Sequence, residues 1–182
     1  MPRSETPRAV AIGHRVLLRP LSVADKEEFL ALARSSAAFL APWVSPPTRA
    51  DQFSVYLGKC RRSDYRGLLA CRRSDSTLLG SISISQIVRG RFRSAYLDYW
   101  IGARFARQGY MTDALRLAVR YAFRRLKLHR VEANIQPENT ASLRLVKRLG
   151  FLCEGYSRRY LRIDGKWKDH ERWAVLAEDW PS

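Results

Sequence analysis

The sequence predicts an α/β (α+β) domain, one mixed sheet flanked by helices, and three observations carry that prediction. Helical and strand-like patterns alternate through most of the chain, which sets helices against a sheet. Two long strand-like segments then flank Asp164-Gly165, a strong signal for a two-residue hairpin. A chain of 182 residues, 46% hydrophobic, suffices for a single domain with a proper core, and no linker divides it.

After a start over residues 1–12 that reads as flexible, residues 14–21 (HRVLLRPL) read as a strand. Residues 22–36 read as a helix, with Ser22 as N-cap and acidic residues in its first turn. Residues 39–48 (FLAPWVSPPT) carry three prolines and a tryptophan, the composition of a loop with apolar anchors. A helix then opens at Thr48 or Asp51 and runs to about Arg62. Strands follow at 66–73, 78–88 and 95–102; in the second, Ile82 and Ile84 alternate with Ser81, Ser83 and Ser85, the period of a sheet with one buried face.

The next helix carries Met111, Leu115, Ala118, Ala122 and Leu126 at steps of three or four. Arg116, Arg120 and Arg124 line another face and read as a solvated basic stripe. Residues 130–136 form a strand with Val131, Ala133 and Ile135 on one face and Glu132, Asn134 and Gln136 on the other. Residues 137–151 read as a helix ending at Gly150, a natural left-handed cap.

Composition narrows the function classes. No apolar run approaches the length that spans a bilayer, and the first residues lack the apolar core of a signal peptide. The chain therefore reads as soluble and cytoplasmic, with no membrane partner. Cys60, Cys71 and Cys153 form no CxxC pair, and His14, His129 and His170 are scattered, so no metal site can be written from spacing. The net charge of +16, from 33 Lys and Arg against 17 Asp and Glu, favours an anionic partner. Nucleic acid, the ribosome and a phosphorylated cofactor all satisfy it.

One local feature suits the last of these. Gly109 lies between the strand at 95–102 and the long helix, in a turn with Arg104, Arg107 and Gln108. A helix start offers unpaired N–H groups and the positive end of its dipole, and glycine lets an anion approach closely. A plain hinge has the same composition. The turn is neither GxxxxGK[ST] nor GxGxxG, which excludes the two familiar phosphate-binding motifs.

The order of pieces is more specific than any one of them. In sequence come APWV (41–44), YWIG (99–102), RQGYMTDAL (107–115), LHRVEANIQPENTASLRLVKRLGFLCEGY (128–156) and YLRIDGKWKDH (160–170). At these spacings, from about Arg15 to Trp180, the chain resembles the Gcn5-related N-acetyltransferase (GNAT) superfamily, in particular its RimJ/RimL-like ribosomal-protein alanine N-acetyltransferases. The resemblance implies a mostly antiparallel sheet with a V-shaped splay and acetyl-CoA as co-substrate, without a metal. It implies that the N–H groups of Arg107, Gln108, Gly109, Tyr110, Met111 and Thr112 seat the pyrophosphate. The pantetheine would pair with the backbone of Tyr99, Trp100 and Ile101, and Asn139 and Ser142 would face the cofactor. Asn139 also reads as a plain helix N-cap, and Ser142 as a small packing residue. Ala106 and Met111 depart from the common Q/R-x-x-G-x-G/A loop, which backbone donors tolerate.

Many relatives place a tyrosine acid on the second of these helices; the matching position is Val146, which leaves Ser142 as candidate proton donor. Some carry a glutamate where this strand has Asn134; Glu132, two residues back, is a candidate base through water or a partner of an arginine. Asp98 is a second candidate carboxylate. Phe39, Trp43 and Tyr160 are expected near the acceptor, Trp43 equally as a loop anchor and Tyr160 as a packing residue. At pH 7.3 roughly a tenth to a quarter of an α-amine is neutral, against about a thousandth of a lysine side chain. A site without an evident strong base therefore suits an α-amine, and the resemblance points to an N-terminal Ala or Ser of a ribosomal protein. No acidic cluster is visible near the acceptor loops, which counts against a small cationic amine. A catalytically inactive domain binding RNA or the ribosome through its basic surface is the other alternative.

Overall fold

A run of eight strands sets the architecture of the described residues. The computed structural model describes residues 7–41 and 43–181. In chain order the strands are β1 (Ala11–Ile12), β2 (Val16–Pro20), β3 (Arg66–Arg72), β4 (Leu78–Val88), β5 (Ser94–Ile101), β6 (Arg130–Ile135), β7 (Leu152–Ile163) and β8 (Lys166–Leu176). The helices are α1 (Lys26–Ser35), α2 (Ala37–Leu40), α3 (Ala50–Lys59), α4 (Tyr110–Arg124) and α5 (Thr140–Arg148). Among the described residues the strands make one sheet in the order β1-β2-β3-β4-β5-β6-β8-β7. All neighbours are antiparallel except β5 and β6.

That exception shapes the molecule. β5 and β6 pair only from Ser94↔Arg130 to Tyr96↔Glu132, and beyond Tyr96 the two strands part. The free edge of Leu97–Ile101 opens a wedge in mid-sheet, while β4 continues to pair with it as far as Gly80↔Ile101. This is the V-shaped splay.

Side-chain alternation then assigns the two faces. The Tyr56 hydroxyl of α3 hydrogen-bonds with the Ser81 and Ser83 hydroxyls at 3.0 and 3.1 Å, and Trp100, opposite Ser81, packs edge-on against Phe29 of α1. α1 and α3 thus cover that face. α4 covers the other, packing on β2, β4 and β6 with Leu115, Ala118, Val119 and Ala122 fully buried. Val131, Ala133 and Ile135 are buried on β6 as the alternation predicts.

Several boundaries differ from the sequence reading. Ala11–Ile12 falls in the stretch expected to be flexible yet pairs with Leu18 and Leu17; residues 1–6 of that stretch lie outside the described residues. The helix expected from residue 22 begins as a 3-10 turn at Val23–Asp25, because the Asp25 carboxylate accepts from the Ser22 N–H and hydroxyl at 2.7 and 2.8 Å. Phe39 and Leu40, expected in a loop, end the short α2. Pro137–Asn139 is a turn, and α5 starts only at Thr140 because Asn139 caps it. The hairpin is as predicted: Asp164 and Gly165 have φ of +46° and +78°, the two positive values a type I′ turn requires.

Candidate active site

The turn before α4 is built to receive negative charge. Gly109 caps the helix with φ of +81°, and Arg107 is also left-handed at +61°. The pair of reversals turns the intervening backbone inward, and the helix start leaves its own first donors unpaired. Among the described residues no N–H from Arg107 to Thr112 donates to a main-chain carbonyl; Asp113 is the first, to Gly109 O at 3.2 Å. A β-carbon at Gly109 would lie 2.8 Å from Arg15 Nη2, so the guanidinium rests directly on the glycine. Arg15 also donates to Gln108 O at 3.1 Å and to Asp113 at 2.8 Å, and lies over the Tyr110 ring. Sequence reasoning gave Arg15 no role, since its partners lie more than 90 residues away.

The splay opens into a cleft of about 370 Å³. β5 contributes Leu97, Asp98 and Tyr99, and β6 contributes Ala133, Asn134 and Ile135. Asn139 and Ser142 close one side; Trp43, Asp164 of the hairpin and His170 of β8 close the other. A second cleft of about 500 Å³ continues along the α1/α3 face past Asp51, Tyr56 and Tyr65, sharing Val44, Ser45, Asp98 and Tyr99 with the first. Among the described residues of the splay, Asn134 Oδ1 is buried without a hydrogen-bond partner. Such a group costs stability when left unmet, which suits a ligand that meets it.

Of the residues singled out from sequence, Asp98, Tyr99, Asn134, Asn139, Ser142 and Trp43 come together at this cleft. Trp100 does not: its indole is buried against Phe29, so only its backbone faces the open edge. Asn139 is the N-cap of α5, accepting from Ser142 N–H at 3.1 Å, so its Oδ1 is committed and its amide nitrogen is left for the cleft. Tyr99 is pushed up to about 12 by burial, with the adjacent Ser142 hydroxyl opposing the rise. Val146 is fully buried in the core, where it offers no proton.

Phe39 was expected at the acceptor, but it is 46% exposed on α2 and lines neither cleft, because α2 turns it outward. Tyr160 does not line the cleft; its ring lies 6.2 Å from that of His170, and its hydroxyl meets that of Tyr96. That contact, with burial and the charge of Glu132, raises Tyr96 to about 12. Glu132 is held by Arg130 Nε at 2.8 Å, and Arg130 also clasps Glu154. The arginine pairing that the sequence offered for Glu132 is present.

Asp98 reaches solvent through the cleft mouth but is walled by protein on its other sides. That enclosure raises its carboxyl above the usual range, and Ser85 Oγ, donating at 3.0 Å, offsets part of the rise. Asp98 and Asp164 share one cleft and Asp51 lines its continuation, an acidic grouping the linear sequence hides. His170 was also missed as a site residue. The alternation of β8 was the available signal, since it puts His170 on the face of Arg172, which pairs with Asn134. Among the described residues no His, Cys, Asp and Glu cluster could hold a metal ion, and no helix is long and apolar enough to cross a membrane.

A splayed parallel pair with a turn of open backbone donors on one side is the arrangement that the resemblance read from the sequence implies. The acetyltransferase (GNAT) domain family matches residues 15–152. The chain belongs to this GNAT acetyltransferase family. The acetyltransferase is 36% identical over 92% of its length to the probable N-acetyltransferase YjcK of Bacillus subtilis, covering 97% of that protein. It is 33% identical to the ribosomal protein uS5-alanine N-acetyltransferase of Escherichia coli, over 98% of this chain and 96% of the relative. Mycobacterium smegmatis RimJ, solved in complex with CoA-disulfide, superposes with a TM-score of 0.84 at 28% identity, over 92% of this chain and 84% of that one. The fold is the RimJ/RimL one.

Proposed function

We propose that this acetyltransferase uses acetyl-CoA to acetylate the N-terminal α-amine of a protein, an Ala or Ser terminus of a ribosomal protein. The run of unpaired N–H groups from Arg107 to Thr112, at the end of the open β5 edge, is the observation that carries the reading. In it, those N–H groups hold the pyrophosphate, the edge at Tyr99, Trp100 and Ile101 pairs with the pantetheine, and Asn139 and Ser142 flank it. Bound acetyl-CoA supplies an acyl group activated as a thioester. Asn134 Oδ1, buried and unpartnered, accepts an N–H of the incoming amine and orients its lone pair. Asp98 and Asp164 hold the α-ammonium as it arrives, and Ser142 keeps a hydroxyl proton at the donor side. Glu132, tied to Arg130, shapes the local field. Trp43 and Ser45 line the passage along which the peptide approaches.

The named substrate of the Escherichia coli relative supports a ribosomal protein as acceptor. The carboxylates that line the clefts would also attract a small polyamine, which is the competing reading. To separate the two, unacetylated ribosomal proteins and spermidine are offered together with labelled acetyl-CoA, and the products are mapped by mass. Label on one N-terminal Ala or Ser supports the proposal; label on spermidine or on lysine side chains alone overturns it.

A further inference from the structure

His170 is the most enclosed titratable residue of the cleft, 3% exposed on β8. Ser157↔His170 and Asn134↔Arg172 fix the registers on its two sides, so the imidazole shares the sheet face of Asn134. Its Nδ1 lies 3.0 Å from Lys168 O. A carbonyl oxygen can only accept, so Nδ1 carries the hydrogen, and in the neutral ring Nε2 holds the lone pair. Of the other candidate carboxylates, Glu132 is tied to Arg130, and Asp98, which accepts from Ser85 through Oδ2, is the one that holds the arriving ammonium.

Burial holds His170 below the ordinary histidine value, against the Lys168 carbonyl and the charges of Asp169 and Glu138, which favour protonation. The groups around it are Asp98 from β5, Glu138 before α5, Tyr160 from β7, Arg162 and Asp164 at the hairpin, and Asp169 and Arg172 on its own strand. The ring is therefore neutral near pH 7 and able to receive a proton.

We infer that His170 Nε2 takes the proton from the acceptor's ammonium group, a role that rests on the reading of the acceptor as an α-amine. The N–H bond of the ammonium breaks as the Nε2–H bond forms. The electron pair of the broken bond stays on the α-nitrogen as the lone pair that acyl transfer requires. The imidazolium then returns its proton to solvent through the open cleft.

The test compares wild-type protein with H170N, whose amide keeps a donor for Lys168 O, on a peptide with a free N-terminal alanine. H170N is expected to lose about 100-fold in kcat/KM at pH 7. The deficit should narrow to about threefold near pH 9.5, where an α-amine is already deprotonated. KM for acetyl-CoA should not change. In the wild-type protein, nitrogen NMR of labelled histidine should show His170 protonated at Nδ1 and bare at Nε2 at pH 7. An equal loss at every pH, no loss, or a proton on Nε2 would overturn the assignment. If H170N does not fold, the wild-type tautomer decides. If wild type acetylates a small amine but no peptide, the protein-acceptor reading fails, and the same pH comparison on that amine decides His170.

Discussion

Asn134 and Asp25 show how differently two buried polar residues serve this molecule. Asn134 keeps Oδ1 unpaired in the splay, so Asn134→Ala should leave the fold intact and cost one hydrogen bond to the acceptor. The expected loss is about tenfold in kcat/KM, with acetyl-CoA affinity unchanged, read by steady-state kinetics on an alanine peptide. Asp25 is instead fully engaged, with Arg19 at 2.6 Å and both side chains 8% exposed. Burial alone would raise its carboxyl, but hydrogen bonds from Arg19 and Ser22 outweigh that and hold it below its usual value. Its contribution to stability is thus complete above about pH 3.8 and is lost as pH falls through the lower, folded value. Asp25→Ala should cost about 3–5 kcal/mol at pH 7, measured by urea unfolding, because it strands the Arg19 guanidinium. The Asn139 cap was legible because capping acts within three residues. The Arg130 clasp on Glu132 and the enclosure of His170 were not, since β7, β8 and the hairpin supply those surroundings from distant sequence.

At the level of elements, the turn into α4 carries the sharpest prediction. Gly109→Ala imposes a left-handed conformation on a residue with a side chain, at a cost of about 1–2 kcal/mol. Its β-carbon would also push Arg15 off the turn. Calorimetry should show acetyl-CoA binding weakened about tenfold or more, with circular dichroism unchanged, since the sheet does not depend on the turn. The helix after Gly109 and the hairpin at Asp164-Gly165 could be read directly, because amphipathic period and type I′ chemistry are local. The splay could not. β5 and β6 read as uninterrupted strands, and the point where they part is fixed by a three-residue parallel register that leaves no mark in periodicity. The acceptor loop was read in part: Trp43 reaches the cleft, while Phe39 is carried outward by a helical turn too short to show in the sequence.

Across the whole molecule the net charge of +16 acts at long range, and the acidic grouping of the cleft acts at contact. Under the proposed function, the first would draw the protein toward an RNA-bearing particle and the second would receive the ammonium once there. Raising salt from about 50 to 200 mM should therefore slow acetylation of an assembled ribosomal particle by tenfold or more. A short neutral peptide with the same terminus should lose less than about threefold over that range. Stopped-time assays on the two substrates in parallel would show it, and equal salt sensitivity would remove the surface field from the account.

The most direct measurement offers acetyl-CoA and two short peptides to the purified protein, with released thiol and peptide mass recorded together. One peptide has a free N-terminal alanine and no lysine; the other is blocked at its N-terminus and has one lysine. The α-amine should be preferred by a factor of about a hundred, in line with the difference in neutral fraction between the two amines at pH 7. Acetylation of the lysine peptide at an equal or greater rate would contradict the account.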